Sequence, residues 1–200
     1  MFGGLFMKKY LKLAGSLKNI YSSKELEVFR EEKNEAVIEK LQNIFEKSIN
    51  HEIILICIGT DKSIADSLGP LVGTMLVEKQ FAFPVYGTLA DPVHASNLKS
   101  NLVKIKSQYE NPIIIAVDAC IGEKDQIGSI IFENGPLLPG IATFKSLPPV
   151  GDYQLKVVVN HRNIYDPSYF IHNTRLFTVI NLAKKVTNMI LDSTNLSNER

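Results

Sequence analysis

The chain has 200 residues, 45% hydrophobic and 22% charged, a length and balance suited to one soluble domain with its own core. Its 22 basic and 21 acidic residues leave a net charge of +1, which removes the electrostatic case for binding nucleic acid or an anionic membrane. Two cysteines, Cys57 and Cys120, stand far apart without paired Cys/His spacing; this argues against a disulfide framework or structural zinc and for reduced thiols in the cytoplasm.

Residues 1–22 mix apolar residues with Lys8, Lys9 and Lys12, and are expected to be a loosely ordered lead-in. The lysines interrupt the apolar residues instead of preceding a continuous core, so the segment does not read as a signal peptide. No run of eighteen apolar residues occurs, and no membrane span is expected. From residue 23 to 48, Leu26, Phe29, Val37, Leu41, Ile44 and Phe45 recur at helical spacing. "EIILICIG" then reads as a strand covered on both faces. "ADSLGPLVGTMLVEKQ" follows as a helix, with Leu68, Val72, Met75 and Leu76 inward.

The pattern repeats with "FPVYGT" as a strand, "HASNLKSNLVKIKSQY" as a helix and "NPIIIAVDA" as a third strand ending on Asp118. Such β-α-β-α-β order predicts α/β class: a three-layer α/β/α domain around a central, mostly parallel sheet. "GSIIFE" and "YQLKVVVN" add two strands, and "DPSYFIHNTRLFTVINLAKKVTNMILDS" is expected to be one long helix capped by Asp166. The domain is expected to span 23–192, with 193–200 as a frayed tail.

In an open α/β sheet, ligands bind beyond the carboxyl ends of the strands. There this chain places Asp61 and Asp66 after the first strand, Asp91 and His94 after the second, Asp118 and Cys120 at the third, and Asn160 and His161 after "KVVV". Asp66 serves equally well as a helix cap, and Asp118 as a turn residue. If the two meet, like charge raises one pKa and the pair can share a proton, one carboxyl activating water while the other polarises a carbonyl. Joined by His94 or His161, the same pair could instead hold a divalent metal, although no cofactor is required by the sequence. Phosphate-cradle and nucleophile-elbow motifs are absent.

"IGTDKSIADSLGPLVG", "GTLADPVHASNL" and "IIAVDACIG" together resemble the YyaC-like spore protease family of endospore-forming bacteria, over roughly residues 50–190. That family is similar to the spore germination protease and to the hydrogenase maturation endopeptidases, which share a phosphorylase/hydrolase-like α/β fold. The resemblance implies that Asp66, in "DSLGP", and Asp118, in "AVDA", are the catalytic pair. By likeness to the maturation enzymes, Asp66, Asp118 and a histidine, His161 by chain order, would be the metal contacts. Asp61, Asp91, His94, Asn97 and His161 are the candidate substrate-binding or auxiliary residues, with the "GTLADPVHASNL" segment meeting a peptide.

The function expected is a sporulation-associated endopeptidase that cleaves a protein or peptide substrate in the cytoplasm of the sporulating cell or spore. A metal-dependent maturation-type peptidase and a non-enzymatic sporulation factor that binds a partner are the alternatives.

Overall fold

The computed structural model describes residues 23–139, 147–163, 165–166 and 168–195; the expected lead-in over 1–22 lies outside them. Helix α1 (Ser23–Phe45) runs into a 3-10 turn (Glu46–Ile49) and then strand β1 (Ile53–Cys57). A second 3-10 turn (Ile64–Asp66) leads into α2 (Leu68–Glu78) and the two-residue strand β2 (Val85–Tyr86). Helix α3 (Leu98–Gln108), β3 (Ile113–Gly122), β4 (Ile130–Asn134) and β5 (Tyr153–His161) follow. The chain then forms α4 (Tyr169–Asn173) and α5 (Leu176–Asn195).

The five strands lie in the order β2-β1-β3-β5-β4. All neighbours are parallel except β4, which runs antiparallel to β5 at one edge. The domain is therefore a three-layer α/β/α structure with a mostly parallel sheet. Every residue of β1 is buried, and alternation explains why the run is continuously apolar. Ile53, Leu55 and Cys57 face a layer containing Val37, Leu41, Leu68, Val72, Val179 and Val186, from α1, α2 and α5. Ile54 and Ile56 face Leu98 and Ile105 of α3 on the other side.

The first crossover carries α2 and leads to β2 on one side of β1; the next carries α3 on the opposite face and leads to β3 on the other side. The chain thus changes direction between β1 and β3, and it is at the carboxyl ends of strands flanking such a point that open α/β sheets bind ligands.

Three local expectations change. The third strand does not end on Asp118 but continues to Gly122, because β5 still offers it a partner after β1 has turned away. The last helix is two helices: Thr174, with φ −81° and ψ 127°, is extended and breaks the run. Asp166 holds Ser168 just ahead of α4 through bonds of 2.9 Å from its amide and 2.7 Å from its hydroxyl. At the other end α5 runs to Asn195, past the residue where fraying was expected to begin. Ser193 is buried there and donates 2.7 Å to the Met189 carbonyl, a bond within the helix.

Candidate active site

The loop after β1 is folded tightly against the strand it leaves. Ile58 N–H donates 2.7 Å to the Val117 carbonyl, the last link to β3. Gly59 then turns with φ +145°, a conformation in which a side chain is strained. Its amide bonds the Val93 carbonyl at 2.9 Å, and the Thr60 amide bonds the Asp66 carbonyl at 3.0 Å. At the start of α2, a Cβ on Gly69 would lie 2.1 Å from the Ile58 carbonyl oxygen, so only glycine permits this approach. Asp66 is thereby seated over the end of β1. It is not the helix cap: Ser67 occupies that position, without a side-chain cap, and its hydroxyl donates 2.9 Å to the Ile64 carbonyl.

Asp118 lies on β3, one residue beyond the pairing of Val117 with Cys57. Its carboxylate accepts from the Ala119 amide and feels the Asp66 charge. Burial raises the Asp66 pKa from 3.8 to about 6. Burial, then the Asp66 charge, holds Asp118 well above the usual carboxylate range; the Ala119 amide and the Lys156 ammonium pull the other way. The two aspartates, 52 positions apart in the chain, thus interact electrostatically at the carboxyl ends of adjacent strands.

The remaining candidates lie on the elements to either side of this pair. Asp61 is exposed in the turn after β1. Asp91 is exposed too, and its backbone closes a turn with Thr88 through two 3.1 Å bonds. Asn97 is spent on its own loop: its side-chain oxygen accepts from the His94 amide and its NH2 donates to the Pro92 carbonyl, both at 2.8 Å. His94 follows Val93, which bridges Ile58 on the β2 side of β1, away from β3. Its Nδ1 accepts 3.3 Å from the Ser96 amide.

His161 pairs with Gly122, four residues past Asp118 on β3, about 13 Å along the strand. A buried relay orients it. The Thr174 hydroxyl donates to the Phe170 carbonyl, so it can only accept from Asn160 Nδ2, at 2.9 Å. Asn160 Oδ1 therefore faces His161, taking its amide at 2.7 Å and its ring Nδ1 at 3.1 Å. A proton on Nδ1 is what lets the ring donate to Asn160 Oδ1. The ring lies 5.3 Å from that of Tyr169, whose helix α4 packs, with α5, against the Ile64–Asp66 turn.

Among the described residues, no group of three or more His, Cys, Asp or Glu side chains is gathered that could hold a metal ion. Asp66 and Asp118 are not gathered with His94 or His161: His94 lies in the loop after Val93, on the β2 side of β1, and His161 ends β5. Burial pushes both Cys57 and Cys120 thiols up to about 12, which keeps Cys120 from acting as a thiolate nucleophile.

Two residues here escaped the sequence reading. Lys156 stands opposite Asp118 on β5, and its Nζ lies 2.9 Å from Glu133 Oε2 of β4. The signal for Lys156 was present, a lone lysine inside the apolar run "YQLKVVVN". Nothing in sequence linked it to Glu133.

The family model described as "Protein of unknown function (DUF1256)" matches residues 28–189. The chain belongs to the DUF1256 family. This DUF1256 chain is 46% identical to the uncharacterized protein YyaC of Bacillus subtilis (strain 168) over 145 residues, 72% of this chain and 70% of YyaC. Among solved structures, it is similar to the [NiFe] hydrogenase maturation protease HycI from Thermococcus kodakarensis KOD1, with a TM-score of 0.49 and 18% identity over 76% of this chain and 99% of that one. An uncharacterized protein from Wolinella succinogenes gives a TM-score of 0.45 and 12% identity, over 73% of this chain and 98% of that one. The DUF1256 structure has no helix, among the described residues, long and apolar enough to cross a membrane.

Proposed function

We propose that the chain is an endopeptidase of the sporulating cell or spore, cleaving a peptide bond of a protein substrate in the cytoplasm with Asp66 and Asp118 as the catalytic pair. The observation that carries this reading is the electrostatic coupling of two carboxyl groups, both raised by burial, where the sheet changes direction. Asp66, near 6, is ionised at neutral pH and takes a proton from the attacking water. Asp118, raised well above the usual carboxylate range by burial and then by the Asp66 charge, is the partner assigned the shared proton, which it donates in a hydrogen bond to the scissile carbonyl oxygen. The water oxygen bonds to the carbonyl carbon; the proton taken by Asp66 then passes to the leaving amine as the C–N bond breaks. The exposed Asp61 in the loop after β1, and the segment carrying Asp91 and His94 on the β2 side of β1, would meet the substrate backbone.

Purified native chain, Asp66→Asn and Asp118→Asn are assayed for cleavage of spore proteins between pH 5 and 9. The native rate is expected to rise through about pH 6 as Asp66 ionises and to fall at higher pH as Asp118 loses its proton. Each variant is expected to lose cleavage by at least about 100-fold, the scale of a general acid–base contribution. Unchanged cleavage in both variants sinks the reading; a native chain that binds but never cleaves spore proteins favours the partner-binding alternative.

A further inference from the structure

Lys156 is the Cα partner of Asp118 in the parallel pairing of β3 with β5. Their side chains leave the same face of the sheet, with strands about 4.8 Å apart. On β5, Leu155, Val157 and Val159 fill the core beneath α1, α2 and α5, so Lys156 projects from the opposite face. On β4, Ile130 and Phe132 enter the same core, so Glu133 projects with Lys156. The ion pair between them spans 2.9 Å, with the lysine side chain 23% and the glutamate 47% exposed. Glu133 therefore draws the ammonium across β5 toward the sheet edge, away from Asp118. The long stem of a lysine lets its charge swing between the two carboxylates.

The groups that act on Asp118 are Asp66 from the turn after β1, Lys156 from β5 and the Ala119 amide on its own strand. Cys120 lies on the same face two residues on, and its thiol is neutral. Lys156 is the one positive group among them.

Building on the peptidase reading of Asp66 and Asp118, we propose that Lys156 is a positioning residue, tethered by Glu133, whose charge decides how firmly Asp118 holds the proton of the pair. Loss of the lysine charge leaves Asp118 facing Asp66 without a counter-charge. Loss of the Glu133 charge frees the ammonium toward Asp118. The two changes act in opposite directions, which a merely structural role for the ion pair does not predict.

The test is a carboxyl-carbon NMR titration of the full chain labelled with 13C-aspartate, the Asp118 resonance being identified by its loss in Asp118→Asn. In Lys156→Met the Asp118 midpoint is expected to rise by about one pH unit, the low end of the shifts that a neighbouring opposite charge gives a carboxyl. In Glu133→Gln it is expected to fall by about half a unit, and Lys156→Arg is expected to restore it to the native value. An Asp118 midpoint that is unmoved in Lys156→Met and Glu133→Gln, or moves the same way in both, overturns the proposal. Should Lys156→Met fail to fold, the fall in Glu133→Gln and the restored value in Lys156→Arg decide it. The titration uses no substrate. Absent cleavage by the native chain therefore overturns the peptidase reading, while opposite shifts still uphold the electrostatic role of Lys156.

Discussion

The amide of Thr60 donates a 3.0 Å hydrogen bond to the carbonyl oxygen of Asp66, closing the loop after β1 onto itself. This bond, together with the approach of Gly69 to Ile58, sets where the Asp66 carboxyl stands relative to Asp118. The loop is thus a fitted part of the site as well as a connection between β1 and α2.

That fit gives the first expectation. In Gly69→Ala the added Cβ meets the Ile58 carbonyl oxygen at 2.1 Å, a backbone atom that yields only if the strand end or the helix moves. A cost of about 1–3 kcal/mol is expected, the range for overpacking a well-packed interior. Urea unfolding measures it, and the cleavage rate should fall in parallel as Asp66 is displaced. Native stability in Gly69→Ala would contradict the close approach.

The raised pKa of Asp66 carries a stability consequence with a definite sign. Its carboxyl ionises freely in the unfolded chain near 3.9 but only near 6 in the folded one. The folded state therefore binds the proton more tightly, and stability declines as pH rises between these values. Asp66→Asn removes that penalty. The variant should be more stable than the native chain above pH 6, by up to about 3 kcal/mol at about 1.4 kcal/mol per unit. Below about pH 4 the gain should vanish, because both states of the native chain are then protonated. Urea midpoints at pH 4 and pH 7 read the difference; a variant less stable than native at pH 7 would refute it. Stability gained with activity lost is the usual signature of a functional carboxyl.

The relay behind His161 predicts a third effect. Thr174→Val keeps the shape but leaves Asn160 Nδ2 buried without its 2.9 Å acceptor. The expected cost is about 1–3 kcal/mol, the penalty for a buried donor stripped of its partner. Nitrogen NMR of the imidazole should also show His161 losing its preference for a protonated Nδ1. An unchanged tautomer in Thr174→Val would mean that Asn160 does not orient the ring.

Much of the fold was legible because its signals are local. β1 reads as a strand buried on both faces since every residue from Ile53 to Cys57 is apolar, and the structure covers both of its faces with helices. The two-residue β2 was overread, because apolar content around Val85 and Tyr86 does not reveal how many residues find a pairing partner. The split at Thr174 was missed because Thr174 and its neighbours suit a helix by pattern; its side chain is instead engaged with Phe170 and Asn160. That the Asn97 amide closes the loop from Pro92 to His94 is not legible in sequence, because loop geometry decides it.

Residue order determined the class of the domain and put Asp66 and Asp118 among the strand-end candidates, since hydrophobic period and strand-end position are properties of neighbouring residues; the family resemblance singled out the two. It could not decide which strand-end groups meet. The tertiary structure did so by placing β1 beside β3, and by setting His161 beyond β3 on β5 and His94 beyond β1. Strand order and register are long-range hydrogen-bonding outcomes, and they alone bring Lys156 across from Asp118. The electrostatics of the pair follow from that packing, because burial and neighbouring charge, unlike residue type, depend on what the folded chain puts next to each carboxyl.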